Sequence, residues 1–192
     1  MSDYDNLNAP TSLSPFERQT LAFHHQILSY LDASEADYHR RMREALNQGF
    51  TAEYGGVFSL SSELPYDDCL LLHNILNMFR VIKDSIGALD EAEREALLAD
   101  HKYTLCFRGF DGNDARESKM SRYVDYLQTT GRWTDLTEDV KAAGGGNSHA
   151  PMLAKYQSML GVFRPISKEA VRGGGHALMT AEQLRQIAES RG

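Results

Sequence analysis

The chain has 192 residues, of which 42% are hydrophobic, and a formal net charge of −7. That length fits one domain that can bury a core without metal or disulfide staples, and the composition excludes a disordered chain. The acidic balance disfavours nucleic acid and anionic membranes as partners, and the densest apolar run, Cys69-Leu70-Leu71-Leu72, is far too short to span a bilayer.

The first 13 residues are polar and read as a flexible tail without the basic start and apolar stretch of a signal peptide. Ser14 and Glu17 then form a capping-box pattern with Pro15 at the first helical position. Phe16, Phe23, Ile27 and Tyr30 recur at helical spacing, with Leu31 close by, and are expected to pack inward. A second helix is expected to start at Ser34, to carry Tyr38, Met42, Ala45 and Leu46 on one stripe, and to stop at Gly49. Val57-Phe58-Ser59-Leu60 suits a short extended piece or a loop.

The strongest helical pattern opens at Pro65 and runs to about Ile86. Leu72, Ile75, Leu76, Phe79 and Ile82 follow the repeat, and Leu71 and Met78 widen the arc. An apolar arc that broad belongs to a central helix touching several neighbours. Its polar stripe is Cys69, His73, Asn77, Arg80 and Asp84, where Arg80 and Asp84 are spaced for a helical ion pair.

Asp90 and Glu93 cap a short helix through Leu98, and Tyr103-Thr104-Leu105-Cys106-Phe107 is β-prone but isolated. Asp111 is expected to cap a helix that turns Met120, Tyr123, Val124 and Leu127 inward. Gly144-Gly145-Gly146 reads as a flexible joint before a helix opened by Ser148 and Pro151 and blocked at Pro165. Gly173-Gly174-Gly175 is a second joint, and Thr180 with Gln183 caps a last helix packed through Ala181, Leu184, Ile187 and Ala188.

The ordered set Phe107-Arg108-Gly109-Phe110-Asp111, Glu117, Tyr123, Gly131-Arg132-Trp133 and Pro151-Met152-Leu153-Ala154-Lys155-Tyr156-Gln157-Ser158-Met159-Leu160 resembles the YfbU family. So does the closing Met179-Thr180-Ala181-Glu182-Gln183-Leu184, and the likeness spans most of residues 16–190. The chain departs from the family pattern by extra sequence around Ala142–Ser148 and a Gly-rich insertion at Val171–Ala177. The resemblance implies a bacterial-type cytosolic helical protein and carries over no catalytic residues.

Candidate chemistry is sparse. Cys69 and His73 share a helix face, but a zinc ion needs more ligands than they supply. Cys106 reads as core, there is no Gly-x-Ser-x-Gly elbow, and the Gly-rich stretches lack a P-loop lysine. The cluster Arg40, Arg41 and Arg43 is offset by Glu35, Asp37 and Glu44. Arg108, Asp111, Glu117, Arg132 and Trp133 mix charge with aromatics, the composition of interface anchors, and are the candidate binding residues; Glu117 and Arg132 are expected to pair.

The expectation is therefore an all-α, single-domain bundle of about seven helices around the long central one, with at most minor β content. The helical domain spans 14–192, with Gly-rich loops near 142–148 and 171–177. It reads as a cytoplasmic protein-interaction or regulatory module that self-associates, without cofactor or metal. The alternatives are an enzyme with a cleft near Cys69/His73 or Arg108/Arg132, and a nucleic-acid-linked regulator.

Overall fold

A computed structural model describes residues 9–58, 61–142, 144, 146–172 and 178–190. Among these residues the protein is all α-helical, and no strand is present; a single β-bridge joins Phe110 to Asn147. The expectations for residues 1–8, for Ser59 and Leu60, for Gly145 and for the glycines at 173–175 lie outside the described residues. The chain forms two compact units, Met1–Glu63 and Leu64–Gly192.

The first unit is built on a helical hairpin, α1 (Pro15–Leu31) and α2 (Ala36–Gln48), followed by a 3-10 turn and a single helical turn, α3 (Tyr54–Val57). The expected capping box forms: Ser14 Oγ accepts from the Glu17 amide, and Glu17 Oε2 accepts from the Ser14 amide at 2.8 Å. The α2 start differs from expectation. Ser34 turns back to donate to Asp32, leaving Glu35 at the cap without a side-chain bond. Gly49 ends α2 in the left-handed conformation, and Arg18 donates to the carbonyls of Leu46 at 2.8 Å and Asn47 at 2.7 Å. Those carbonyls lack helical donors of their own, so the guanidinium fastens one helix to the end of the other.

The inward side of α1 is not the expected one. Ala22 and His25 are buried, and Leu21 joins the small core formed by Ala22, Leu46 and Tyr54. The stripe of Phe16, Phe23, Ile27, Tyr30 and Leu31 lies on the opposite side of the helix and is exposed. Periodicity locates an apolar face; it does not say which of two faces a neighbour covers. Across the hairpin, His25 Nδ1 lies 2.9 Å from His39 Nδ1, and Tyr38 meets the His25 ring edge-on.

The second unit is organised by α4 (Tyr66–Ala88), whose Leu72, Ile75, Leu76, Met78, Phe79 and Ile82 are fully buried, as the pattern required. Around it lie α5 (Glu91–His101), α6 (Ala115–Thr129), α7 (Thr137–Ala142), α8 (Leu153–Arg172) and α9 (Ala181–Ala188). Phe79, Phe107, Phe110 and Tyr156 make edge-to-face contacts with centroids 5.1–5.7 Å apart, the preferred aromatic geometry. Ser85 on α4 accepts from the Met179 amide at 2.9 Å, fixing the chain that leads into α9. The Thr180–Gln183 capping box then starts α9 as expected.

Three local expectations change in this unit. Asp114, not Asp111, caps α6; its carboxylate accepts from the Arg116 and Glu117 amides. Arg80 pairs with Asp135 at 2.7 Å instead of Asp84, because the chain after α6 presents a carboxylate that both guanidinium nitrogens reach. Helix α8 begins at Leu153 and passes through Pro165. The carbonyl that this proline leaves unbonded belongs to Gly161, and both residues are exposed, so water can satisfy it. Ile166 meanwhile packs on the core and holds the helix down beyond the proline.

Glu117 is the buried tie of this unit. Its carboxylate accepts from the amides of Asp111 at 2.8 Å, Met152 at 3.0 Å and Leu153 at 2.8 Å. The last two are the otherwise unbonded donors at the start of α8, where a negative charge also meets the helix dipole favourably. Glu117→Ala is expected to cost on the order of 3 kcal/mol or more, read as a lower denaturant midpoint, because buried amides lose their acceptor. Glu117→Gln, which keeps one acceptor oxygen, should recover part of the loss.

The histidine pair sets a pH dependence. One ring must offer a bare Nδ1 to the other's N–H, so the pair cannot be doubly protonated and stay bonded. Burial, then the charges of His39 and His24, holds the His25 pKa below its usual 6.5. With the folded value depressed, the unfolded chain takes up the proton first. Stability is therefore whole above about pH 6.5 and falls as pH drops toward the folded value. Urea midpoints measured from pH 7.5 to 5 should slope downward, and His25→Leu should flatten the slope; equal slopes would refute this role.

Candidate functional site

A cavity of about 380 Å³ opens in the second unit between the α5–α6 connection and the α7–α8 connection. Two backbone bonds zip these connections together: the Phe110 amide donates to Gly146 O at 2.8 Å, and the Ser148 amide to Phe110 O at 2.9 Å. Asn147 Oδ1 adds an acceptor for the Gly112 amide at 3.1 Å. The approach is close enough that only glycine fits at Gly109. Its φ is +76°, and a Cβ there would overlap the Gly146 carbonyl. Tyr156 supports the same strand of chain from beneath, accepting from the Arg108 amide at 3.1 Å and donating to Gly109 O at 3.0 Å. Burial raises the Tyr156 pKa, so the phenol stays a neutral donor.

Lys102, Arg108 and His149 line the rim, and the Arg108 guanidinium lies over the Tyr103 ring, 5.8 Å from its centroid. His149 takes a positive φ of 55°, uncommon for a residue with a side chain. Asp139 brings a carboxylate to the wall, but Lys83 holds it at 3.0 Å. Cys106 donates its S–H to the same carboxylate at 3.5 Å. Burial first, and then the Asp139 charge, pushes this thiol up to about 11. A nucleophilic cysteine needs thiolate near neutral pH, so this environment is the reverse of an activated one.

The sequence-predicted binding residues part company here. Arg108 lines the cavity. Asp111 turns its carboxylate to the Asn113 amide at 2.9 Å, shaping the loop before α6. Glu117 is the buried tie already described, so the expected pair with Arg132 does not form. Arg132 donates weakly to Thr130 at 3.5 Å and stacks over Tyr126. Trp133 lies on the polar stripe of α4: its indole N–H donates to Asn77 at 3.0 Å, its ring packs on His73, and Arg80 covers it. His73 in turn bonds Tyr123 at 3.0 Å, while Cys69 Sγ reaches the Leu64 carbonyl at 3.8 Å. Among the described residues, no group of three or more His, Cys, Asp or Glu side chains is arranged to hold a metal ion. Sequence reasoning missed Lys102, Asp139 and His149. They are far apart along the chain, and only the Gly109–Gly146 approach brings their loops together.

A second surface stands out in the first unit. On α1, Phe16 is 78% exposed, Phe23 55%, Ile27 54% and Tyr30 77%. On a helical wheel these residues and Leu31 fall within an arc of about 100°. Gln19, Gln26 and His24 flank the arc and Thr20 lies within it, and Glu17 is the one carboxylate of α1, placed near the arc's edge. Beside Phe16 and Leu13, an apolar groove of about 380 Å³ continues the face toward Phe58.

The thiol environment is directly measurable. In a Cys69→Ser background, the thiolate absorbance of Cys106 should rise only near pH 11, and alkylation at neutral pH should be slow. Asp139→Asn removes an acceptor and a negative charge, and should shift that titration to lower pH; an unchanged curve would assign the whole effect to burial.

Among the described residues, no helix is long and apolar enough to cross a membrane. A curated relative, the UPF0304 protein MJECS11 of Methanocaldococcus jannaschii, is 28% identical over 151 residues, covering 77% of this chain and 85% of the relative. The family model for the YfbU domain matches residues 11–189, a span that takes in most of both compact units, the cavity and the outward face of α1. The chain belongs to the YfbU family.

Proposed function

We propose that this protein is a cytoplasmic helical interaction module that self-associates through the outward face of α1, with both units acting as one YfbU domain. The observation that carries the reading is the exposed aromatic stripe. Phe16, Phe23, Ile27, Tyr30 and Leu31 together expose on the order of 800 Å², taking roughly 200–250 Å² for a whole large side chain, which matches the ~800 Å² per partner of a standard interface. Isolated apolar residues on a surface need no explanation, but a contiguous patch of this size does.

A second copy is the occupant this chemistry favours. In a chain of net charge −7, two identical surfaces repel wherever carboxylates face each other. The α1 arc avoids this, since Glu17 alone lies near its edge and is engaged by Ser14. An aromatic centre with a polar rim is also the composition of specific interfaces. Antiparallel contact of two α1 helices about a twofold axis makes the patch complementary to itself. The free thiols of Cys69 and Cys106 suit a reducing compartment. Arg40 is paired with Asp37, which weakens the case for a phosphate-backbone surface on α2.

Sedimentation equilibrium of the full chain should give twice the monomer mass at micromolar concentration. Phe23→Glu combined with Ile27→Glu should return the monomer mass with an unchanged helical circular dichroism spectrum. A wild-type monomer at high concentration, or a variant that stays dimeric, would sink the reading.

A further inference from the structure

The cavity between the α5–α6 and α7–α8 connections has a charge balance opposite to that of the whole molecule. Lys102, Arg108 and His149 line it, and none of them forms an ion pair among the described residues. Asp139, the carboxylate on its wall, is already matched by Lys83 at 3.0 Å and by the Cys106 S–H at 3.5 Å. Cationic side chains on a protein of net charge −7 are ordinarily found beside carboxylates. Here Lys102 and Arg108 line a concave space instead.

We infer that this cavity binds a small organic phosphate. Arg108 and Lys102 supply two fixed positive charges against a phosphate that carries nearly two negative charges at neutral pH, and a guanidinium fork bonds phosphate oxygens in pairs. The Asn147 side chain contributes in the same place. Its Oδ1 is occupied by the amides of Gly112 and His149, which fixes the amide plane and leaves its NH₂ group as a donor. The volume of about 380 Å³ is several times that of a bare phosphate and lies at the lower end of small-molecule sites. The organic part has an apolar wall in Phe107 and Ala142 and an aromatic edge in Tyr103. The loop is held in place: Tyr156 and the Gly109–Gly146 approach fix the Arg108 backbone, so the main chain needs little ordering on binding.

The probes are inorganic phosphate and, as the carboxylate arm, citrate, each titrated into the full-length protein at constant ionic strength and followed by amide chemical shifts. Phosphate should saturate in the millimolar range and move the amides of Arg108, Asn147 and His149. Arg108→Gln should weaken it about ten-fold or more, and Lys102→Gln should weaken it less, both with unchanged thermal midpoints because neither side chain holds the fold together. The inference is overturned if phosphate gives no saturable shift, or if Arg108→Gln binds as tightly as the parent. It is also overturned if citrate binds and phosphate does not, or if the shifts fall on the Arg40–Arg41 surface of α2.

Discussion

A buried carboxylate must find donors to replace the water it has lost, and Glu117 finds them in the backbone. By accepting from Asp111, Met152 and Leu153, it joins the loop before α6 to the first turn of α8. That junction fixes where α8 begins, and hence where Tyr156 stands one turn later. Tyr156 in turn bonds Arg108 and Gly109, so the cavity rim is positioned by a chain of contacts that starts at one side chain. Pro151 fits this scheme. It supplies no amide itself, and it stiffens the chain immediately before the two amides that Glu117 receives.

The polar stripe of α4 shows the same economy. Such a stripe can face water, line a cleft or receive another segment. Here it receives the segment after α6: Asn77 bonds Trp133, His73 stacks on it, Arg80 pairs with Asp135, and Lys83 reaches Asp135 O at 2.7 Å and Asp139. Exposed ion pairs contribute little singly, but this set fixes register along nearly three turns of helix. Trp133 adopts a positive φ of 50° to lie in this position, a strain that its indole hydrogen bond and ring contacts offset.

What the sequence made legible was local. Ser14 with Glu17, and Thr180 with Gln183, carry their capping chemistry within four residues, and both boxes form. The arc of α4 was legible for a related reason. When apolar residues cover most of a helix, either orientation buries them. The α1 stripe was misread because α1 is apolar on two sides. Its inward contact uses Ala22 and His25, small or polar residues that allow close approach to α2, while the larger aromatics face outward. Asp111 and Asp114 are equally good caps in sequence, but Asp111 turns its carboxylate to the Asn113 amide and Asp114 caps the helix. The Arg80–Asp135 pair and the cavity were not legible, since both depend on contacts between residues tens of positions apart.

The two surfaces obey opposite electrostatics, which allows them to be told apart. Copies of a chain with net charge −7 repel one another beyond contact distance, and the outward apolar stripe of α1 carries no charged residue to offset this. Screening shortens that repulsion to about 10 Å at 0.1 M salt, so salt would favour the proposed association through α1. A phosphate bound in the cavity, as inferred above, would be attracted by charge at long range, and the same screening would weaken it. The acidic balance of the chain sharpens this contrast, since Lys102 and Arg108 at the cavity form no ion pair among the described residues. On these two proposals, an apolar interface and a pocket lined by Lys102 and Arg108 coexist on one acidic chain without competing for the same partners.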